Sequence, residues 1–319
     1  DFEIVSGGDY VELVPDGLTC ALKAKAHGVA MVKASVPGTN AAEIATVNVI
    51  VPPDSLRIAS AFESRNGFNF SFGLGDELDF PVNAVGTGVC SDFEVTFSNE
   101  AGESDLATYN NGKIKFKKQG LITVTATSKS GSKLETKTSF TFDVNDGKNL
   151  ATFEEIKNYV KSAEYNGGII NIVNYETDTL IPELVKNPED GMNLNDLNEE
   201  RIVVKRKDFR LKGNCYTIDT SKAFVDGSGR YQALIEVNPY SDAQTNKSYV
   251  VEISDLNMVG NNGYQSDDVY KERNGGTMYC RNYMAIRIGN DGYHAVMYPT
   301  VKNVQISGFY TGMRVNHAV

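Results

Sequence analysis

The sequence predicts an all-β protein in two styles, antiparallel sandwiches in its first half and stacked parallel strands in its second. Three observations carry this expectation. Sixteen tyrosines, fifteen phenylalanines and no tryptophan, with abundant Thr, Val, Ile, Asn and Gly, favour strands and tight turns over helices. A strand–glycine–strand pattern occurs twice before residue 146, and a half-apolar octet occurs three times after residue 206. At 319 residues the chain exceeds one ordinary core and suits two or three domains.

The first pattern reads "GLTCALKAKAHGVAMVKASVPGTNAAEIATVNVIV" over residues 17–51 and returns about 92 positions later as "NGKIKFKKQGLITVTATSKSGSKLETKTSFTFDV" over 111–144. In each, an alternating stretch (Leu22, Ala24 and Ala26; Ile114 and Phe116) reaches a glycine, Gly28 or Gly120. A second alternating strand follows, Ala30-Val32-Ala34 or Ile122-Val124-Ala126, then a polar turn and a third strand, Ile44 to Val51 or Phe140 to Val144. Period-two alternation buries one face and wets the other, as in an antiparallel sandwich. These residues resemble the bacterial immunoglobulin-like domains repeated in invasins and intimins. The resemblance spans residues 1–146 and implies immunoglobulin-like β-sandwiches without the paired cysteines and central tryptophan of antibody domains. The expected boundaries are 1–53 for a domain lacking its first strands, because the repeat places its start before Asp1, and 54–147 for a complete one.

After residue 147 the pattern changes. "TFEEIKNYVKSAE" sets Thr152 at an N-cap with Glu155 three residues on, and Phe153, Ile156, Tyr159, Val160 and Ala163 on one helical face. Asn166-Gly167-Gly168 should end this helix. Short strands follow, centred near Ile170, Leu211, Ile235, Met258, Ile286, Ile306 and Met313. The octets "KDFRLKGN" (207–214), "SDLNMVGN" (254–261) and "KNVQISGF" (302–309) share their apolar positions and glycine at offsets of 47 and 48. Such spacing predicts a solenoid, with 47 residues counting two coils and Leu211, Met258 and Ile306 stacked in one column. Gly213, Gly260, Gly289 and Gly308 are expected at corners that need positive φ, with Asn214, Asn261 and Asn290 beside three of them. Residues 148–319 then resemble the pectin-lyase-like family, which implies a right-handed parallel β-helix with an N-terminal capping helix at 152–163. The strand pattern still runs at Val319, so this domain too is expected to continue.

A formal charge of −10 repels nucleic acid and anionic lipid, and no basic cluster offsets it. No apolar run reaches a membrane span, so direct membrane insertion is not expected. Cys20, Cys90, Cys215 and Cys280 show no CxxC spacing, which argues against zinc and for small buried apolar residues. Cys215 and Cys280 would meet in a disulfide only if they fall on neighbouring turns. No cofactor is expected, except that the family's lyases imply calcium. The family's glycosidase signatures (N-T-D with an Asp pair, G-H-G, R-I-K) are absent.

Two segments carry the candidate chemistry. The loop "GNNGYQSDDVYKERNGGTMYCRNY" (260–283) holds Asp267 and Asp268, whose adjacent carboxylates suit calcium or acid–base work. Its Tyr264, Tyr270, Tyr279 and Tyr283 suit stacking on sugar rings or a protein interface. "GNDGYH" (289–294) adds Asp291 and His294 beside Arg287. A solvated insertion and a plain Asn-Asp-Gly turn explain the same residues more simply. The sequence therefore points first to an extracellular or cell-surface stalk that presents the solenoid for adhesion, with carbohydrate or a surface protein as partner, and away from an enzyme. A polysaccharide lyase or glycoside hydrolase is the alternative, and a phage tail or fibre protein, placed on a virion, is the further one.

Overall fold

The computed structural model describes residues 1–59, 62, 65, 67–129, 136–182, 201–221, 232–237, 248–260, 283–289, 296–309 and 311–316. The described chain is all-β in character, with several sheets, and divides into two compact units. The first comprises residues 1–66 and 77–142, the second 67–76 and 143–319.

In the first unit, β1 (Phe2–Ser6), β4 (Gly28–Ser35) and β5 (Ala42–Val49) form an antiparallel sheet, and β2 (Val11–Asp16) pairs with β3 (Thr19–Ala24). Val11, Ala30 and Val49 are buried together, with Ile4, Tyr10, Val47 and Val51 packed against them. The alternating face of β3 does not follow them inside, and Leu22 stays exposed. Next come β6 (Ser55–Ile58), β7 (Phe70–Gly73, which belongs to the second unit), β8 (Glu77–Asp79), β9 (Val82–Val85), β10 (Phe93–Ser98), β11 (Ala107–Asn110), β12 (Lys113–Phe116), β13 (Gly120–Ser128) and β14 (Lys137–Asn145). Antiparallel ladders join β6 to β9, β11 to β12 to β8, and β10 to β13, with β14 next in that last sheet. The period-two prediction is met on β13, where Ile122, Val124 and Ala126 are buried. Phenylalanines fill this core in place of a tryptophan: Phe62, Phe80, Phe116, Phe140 and Phe142 lie ring to ring, with Phe140 and Phe142 centroids 5.1 Å apart.

The second unit is parallel. After β15 (Lys148–Leu150) comes α1 (Phe153–Lys161), whose Thr152 Oγ1 accepts from the Glu155 N–H while the Glu155 carboxylate accepts from the Thr152 N–H. The helix buries Phe153, Ile156 and Val160 but stops at the Ser162 cap, so Ala163 falls outside it. Beyond it, Tyr165 is buried and donates to the Asp208 carbonyl, and burial pushes its phenol above the ordinary range.

The strands that follow are β16 (Ile169–Ile172), β17 (Thr179–Leu180), β18 (Ile202–Val204), β19 (Phe209–Asp219), β20 (Gln232–Val237), β21 (Ser248–Val259), β22 (Tyr283–Ile288), β23 (Val296–Ser307) and β24 (Thr311–Val315). From β18 on they alternate between two parallel sheets, one ordered β15-β16-β19-β21-β23, with β17 also on β19, and the other β18-β20-β22-β24. Helix α1 packs against β18. Among the described residues the inward column is built of large, mostly apolar side chains: Phe209, Leu211, Tyr216, Ile218, Val251, Ile253 and Leu256 have no exposed surface.

Three expectations need correction. The sheets do not form a closed solenoid. The 48-residue offset joins direct neighbours, Ser254 to Lys302, Leu256 to Val304 and Met258 to Ile306, so it is one step and not two. The first octet is also out of register, because Leu211 lies beside Ile253, whereas Met258 lies beside Ile218. The reason is a corner inside each long strand. Asn214 and Cys215 turn it on β19, Asp255 on β21 and Asn303 on β23, all with positive φ, and β19 spends extra residues there. "DFRL" lies before its corner and "LNMV" after one, and a corner restarts the alternation that made them look equivalent.

The four glycines also divide. Gly289 (φ 77°) and Gly308 (φ 72°) adopt the expected positive φ, whereas Gly213 and Gly260 do not. A Cβ on Gly213 would sit 2.5 Å from the Asp255 carbonyl oxygen, and one on Gly260 2.4 Å from that of Gly308. Those two positions are glycine because the neighbouring strand passes too close for a side chain.

Candidate functional site: a polar groove on the parallel sheet

Alternation along β21 sends Val251 and Ile253 inward and Glu252 and Ser254 to the outer face. Parallel register extends each outward residue into a row across three strands. One row is Arg210, Glu252 and Thr300, and the next is Lys212, Ser254 and Lys302. Neighbouring strands are about 4.8 Å apart and alternate residues about 6.6 Å apart, which makes the two rows a small grid. Asp255 and Asn303 border it at the corner, with Asn303 Nδ2 donating to Asp255 Oδ1 at 2.9 Å. After glycine, Asp and Asn are the residues that best tolerate the φ of 55° and 52° found there.

Over this face lies the segment Gly67–Ser71, together with Asp143. With Lys212, Glu252, Ser254, Asp255, Thr300, Lys302 and Asn303 these residues enclose a cavity of about 420 Å³, all within the second unit. Two asparagines fasten the roof. Asn214 accepts from the Ser71 N–H at 2.7 Å and donates to the Ser71 carbonyl at 2.8 Å and to that of Ile172 at 2.9 Å. Asn149 treats Gly73 in the same way, accepting at 2.7 Å and donating at 3.3 Å. Each side-chain amide occupies the place of a backbone amide in a neighbouring strand. Asn171 sits in register with Asn149 and is bonded to both Asn145 and Asn149, which continues the polar row beneath β7.

The groove's charges are unevenly matched. Asp255 is held by Asn303, Glu252 lies 4.0 Å from Arg210, and Ser71 Oγ donates to Asp143 at 3.5 Å. The side chains of Lys212 and Lys302 make no hydrogen bond or ion pair among the described residues. Between them, Ser254 is 8% exposed and its Oγ has no hydrogen-bond partner there. A buried hydroxyl without a partner carries a desolvation cost that a ligand atom would remove. The arrangement suits binding through hydrogen bonds and charge.

The residues singled out from the sequence fare differently. Asp267, Asp268, Asp291, His294, Tyr264, Tyr270 and Tyr279 lie outside the described residues, as does Cys280, and of Tyr283 only the backbone is described. Arg287 belongs to a largely buried ion cluster on the other sheet. Its Nη1 donates to Glu236 Oε1 at 3.1 Å, Arg201 Nη1 donates to Glu236 Oε2 at 2.7 Å, and Arg314 is in register beside it. Among the described residues no group of three or more His, Cys, Asp and Glu is placed to hold a metal ion. The groove itself was missed, although a signal for it existed. The matching first positions of the second and third octets are Ser254 and Lys302, which the register brings side by side.

No protein-family model matches the chain, and no curated protein matches it. Among solved structures, the S-layer protein rSbsC(31-844) matches with 18% identity and a TM-score of 0.22, over 47% of this chain and 20% of that one. The chain thus spans a fifth of that protein's length. No helix among the described residues is long and apolar enough to cross a membrane.

Proposed function

We propose that the chain is part of an extracellular surface protein in which immunoglobulin-like sandwiches form a stalk and a parallel β-helix, capped by α1, presents a binding face. The twice-repeated strand pattern and its antiparallel pairing support the stalk. The alternation of successive strands between two parallel sheets, with the helix placed just before them, supports the helical stack. The observation that carries the binding role is the groove over Lys212, Ser254 and Lys302, a partly enclosed polar surface on a rigid ladder. Its function is adhesion, with carbohydrate or a surface protein as ligand and no turnover. The test is to probe immobilised chain with a glycan array and a panel of cell-surface proteins, beside assays for reducing ends and unsaturated products on acidic polysaccharides. Binding without product is expected. Product release, or no binding to either panel, contradicts the reading.

A further inference from the structure

We infer that the groove over Ser254 docks an extended polypeptide segment carrying an acidic and a basic side chain two residues apart. The inference rests on the binding role proposed above and assigns it a ligand class. Charge decides against a polyanion. The groove's two lysines face three carboxylates, Asp143, Glu252 and Asp255, for a net formal charge of −1, and the whole chain carries −10. A polymer with a negative charge on every unit would set the second of its charges against Glu252 or Asp255. A ligand with one charge of each sign meets no such conflict.

The spacing selects a peptide. Glu252 and Ser254 are alternate residues on one face of β21, about 6.6 Å apart, and an extended peptide repeats its own side chains at that same interval. Laid along the strand, its acidic side chain enters between Lys212 and Lys302, which lie two strand spacings apart at about 9.6 Å. Its carboxylate then takes charge-assisted hydrogen bonds from both ammonium groups. Rotation of the small Ser254 side chain brings its hydroxyl to the same carboxylate and supplies the missing partner. The basic side chain two residues away falls over Glu252, which among the described residues is ion-paired only by the 4.0 Å approach of Arg210. Phe68, 45% exposed at the rim, offers an apolar surface to the side chain between them.

The test titrates the full 319-residue chain with capped, fluorescently labelled heptapeptides. The first is Thr-Val-Glu-Val-Lys-Val-Thr, and its two controls carry Glu at both charged positions or Lys at both. A tetrameric oligouronate serves as competitor. The mixed-charge peptide should bind at least about tenfold more tightly than either control and weaken as salt rises. Lys302→Glu, Ser254→Ala and Glu252→Lys should each weaken it about tenfold, with thermal unfolding unchanged for the exposed Lys302 variant. Equal or tighter binding of the all-Glu peptide, or displacement by the oligouronate, overturns the inference in favour of an anionic-glycan site. Binding that ignores all three substitutions places the peptide elsewhere and overturns it too, as does no binding by any probe. In each case the stalk-and-stack reading stands or falls separately on the array experiment.

Discussion

Replacing Asn214 by alanine removes the device that holds the groove's roof. The amide is buried, at 5% residue exposure, and its hydrogen bonds include three to described residues, to both backbone groups of Ser71 and to the Ile172 carbonyl. A buried hydrogen-bonding group stripped of its partner costs about 1–3 kcal/mol, and three are stripped at once, although water entering the new cavity recovers part of this. Alanine at φ 49° adds about 1 kcal/mol of backbone strain. A loss of about 3–5 kcal/mol in the second unit is expected. The assay is denaturant unfolding paired with hydrogen exchange of the Ser71 amide, which should lose its protection. Asn214→Asp is the sharper variant, because it keeps the acceptor and the tolerance of positive φ but turns a carboxylate toward two carbonyl oxygens. It should be nearly as damaging. A loss below about 1 kcal/mol for both variants, with the Ser71 amide still protected, would refute the reasoning.

Three further outcomes follow from the same physics. Glu236→Leu leaves the cationic Arg201 and Arg287 side chains together in a site where they are 13% and 12% exposed, and should cost about 3 kcal/mol by chemical denaturation. Gly260→Ala should lower the unfolding midpoint in a thermal melt because its Cβ meets the Gly308 carbonyl, whereas Gly17→Ala, with open space around its Cβ, should cost only the strain of φ 61°. Thr152→Ala should cost about 1 kcal/mol, and Thr152→Ser should restore most of it, as read by denaturant midpoint.

Local chemistry was legible in the sequence. The capping box at Thr152 and Glu155, and the period-two burial of Ile122, Val124 and Ala126, form as their spacing predicts, because each depends on residues a few positions apart. Register was not legible where it crossed a corner. Period-two alternation assigns faces without fixing which residue lies beside which, so Leu211 looked equivalent to Met258 when its neighbour is Ile253. The glycines misled for a related reason: sequence shows a missing side chain, and only the neighbouring strand shows that Gly213 serves close approach while Gly308 serves dihedral freedom. The groove stayed hidden because Lys212 holds a different position in its octet from Ser254 and Lys302, so the repeat aligns only two of the three residues that the register brings into one row. Charged loops drew attention in their place, as dense polar segments do.

The central claim is the register of the parallel ladder, since the groove exists only if Lys212, Ser254 and Lys302 share one row. Disulfide trapping measures it. Neighbouring parallel residues place their Cα atoms within the range a disulfide spans. The pair Asn257→Cys with Gln305→Cys, adjacent across β21 and β23, should cross-link under mild oxidation, as should Arg210→Cys with Glu252→Cys, adjacent across β19 and β21 before the corner. The pair Arg210→Cys with Asn257→Cys, which the octet repeat alone would align, should not. Rapid cross-linking of that last pair, with the first two remaining reduced, would contradict the ladder and the groove built on it.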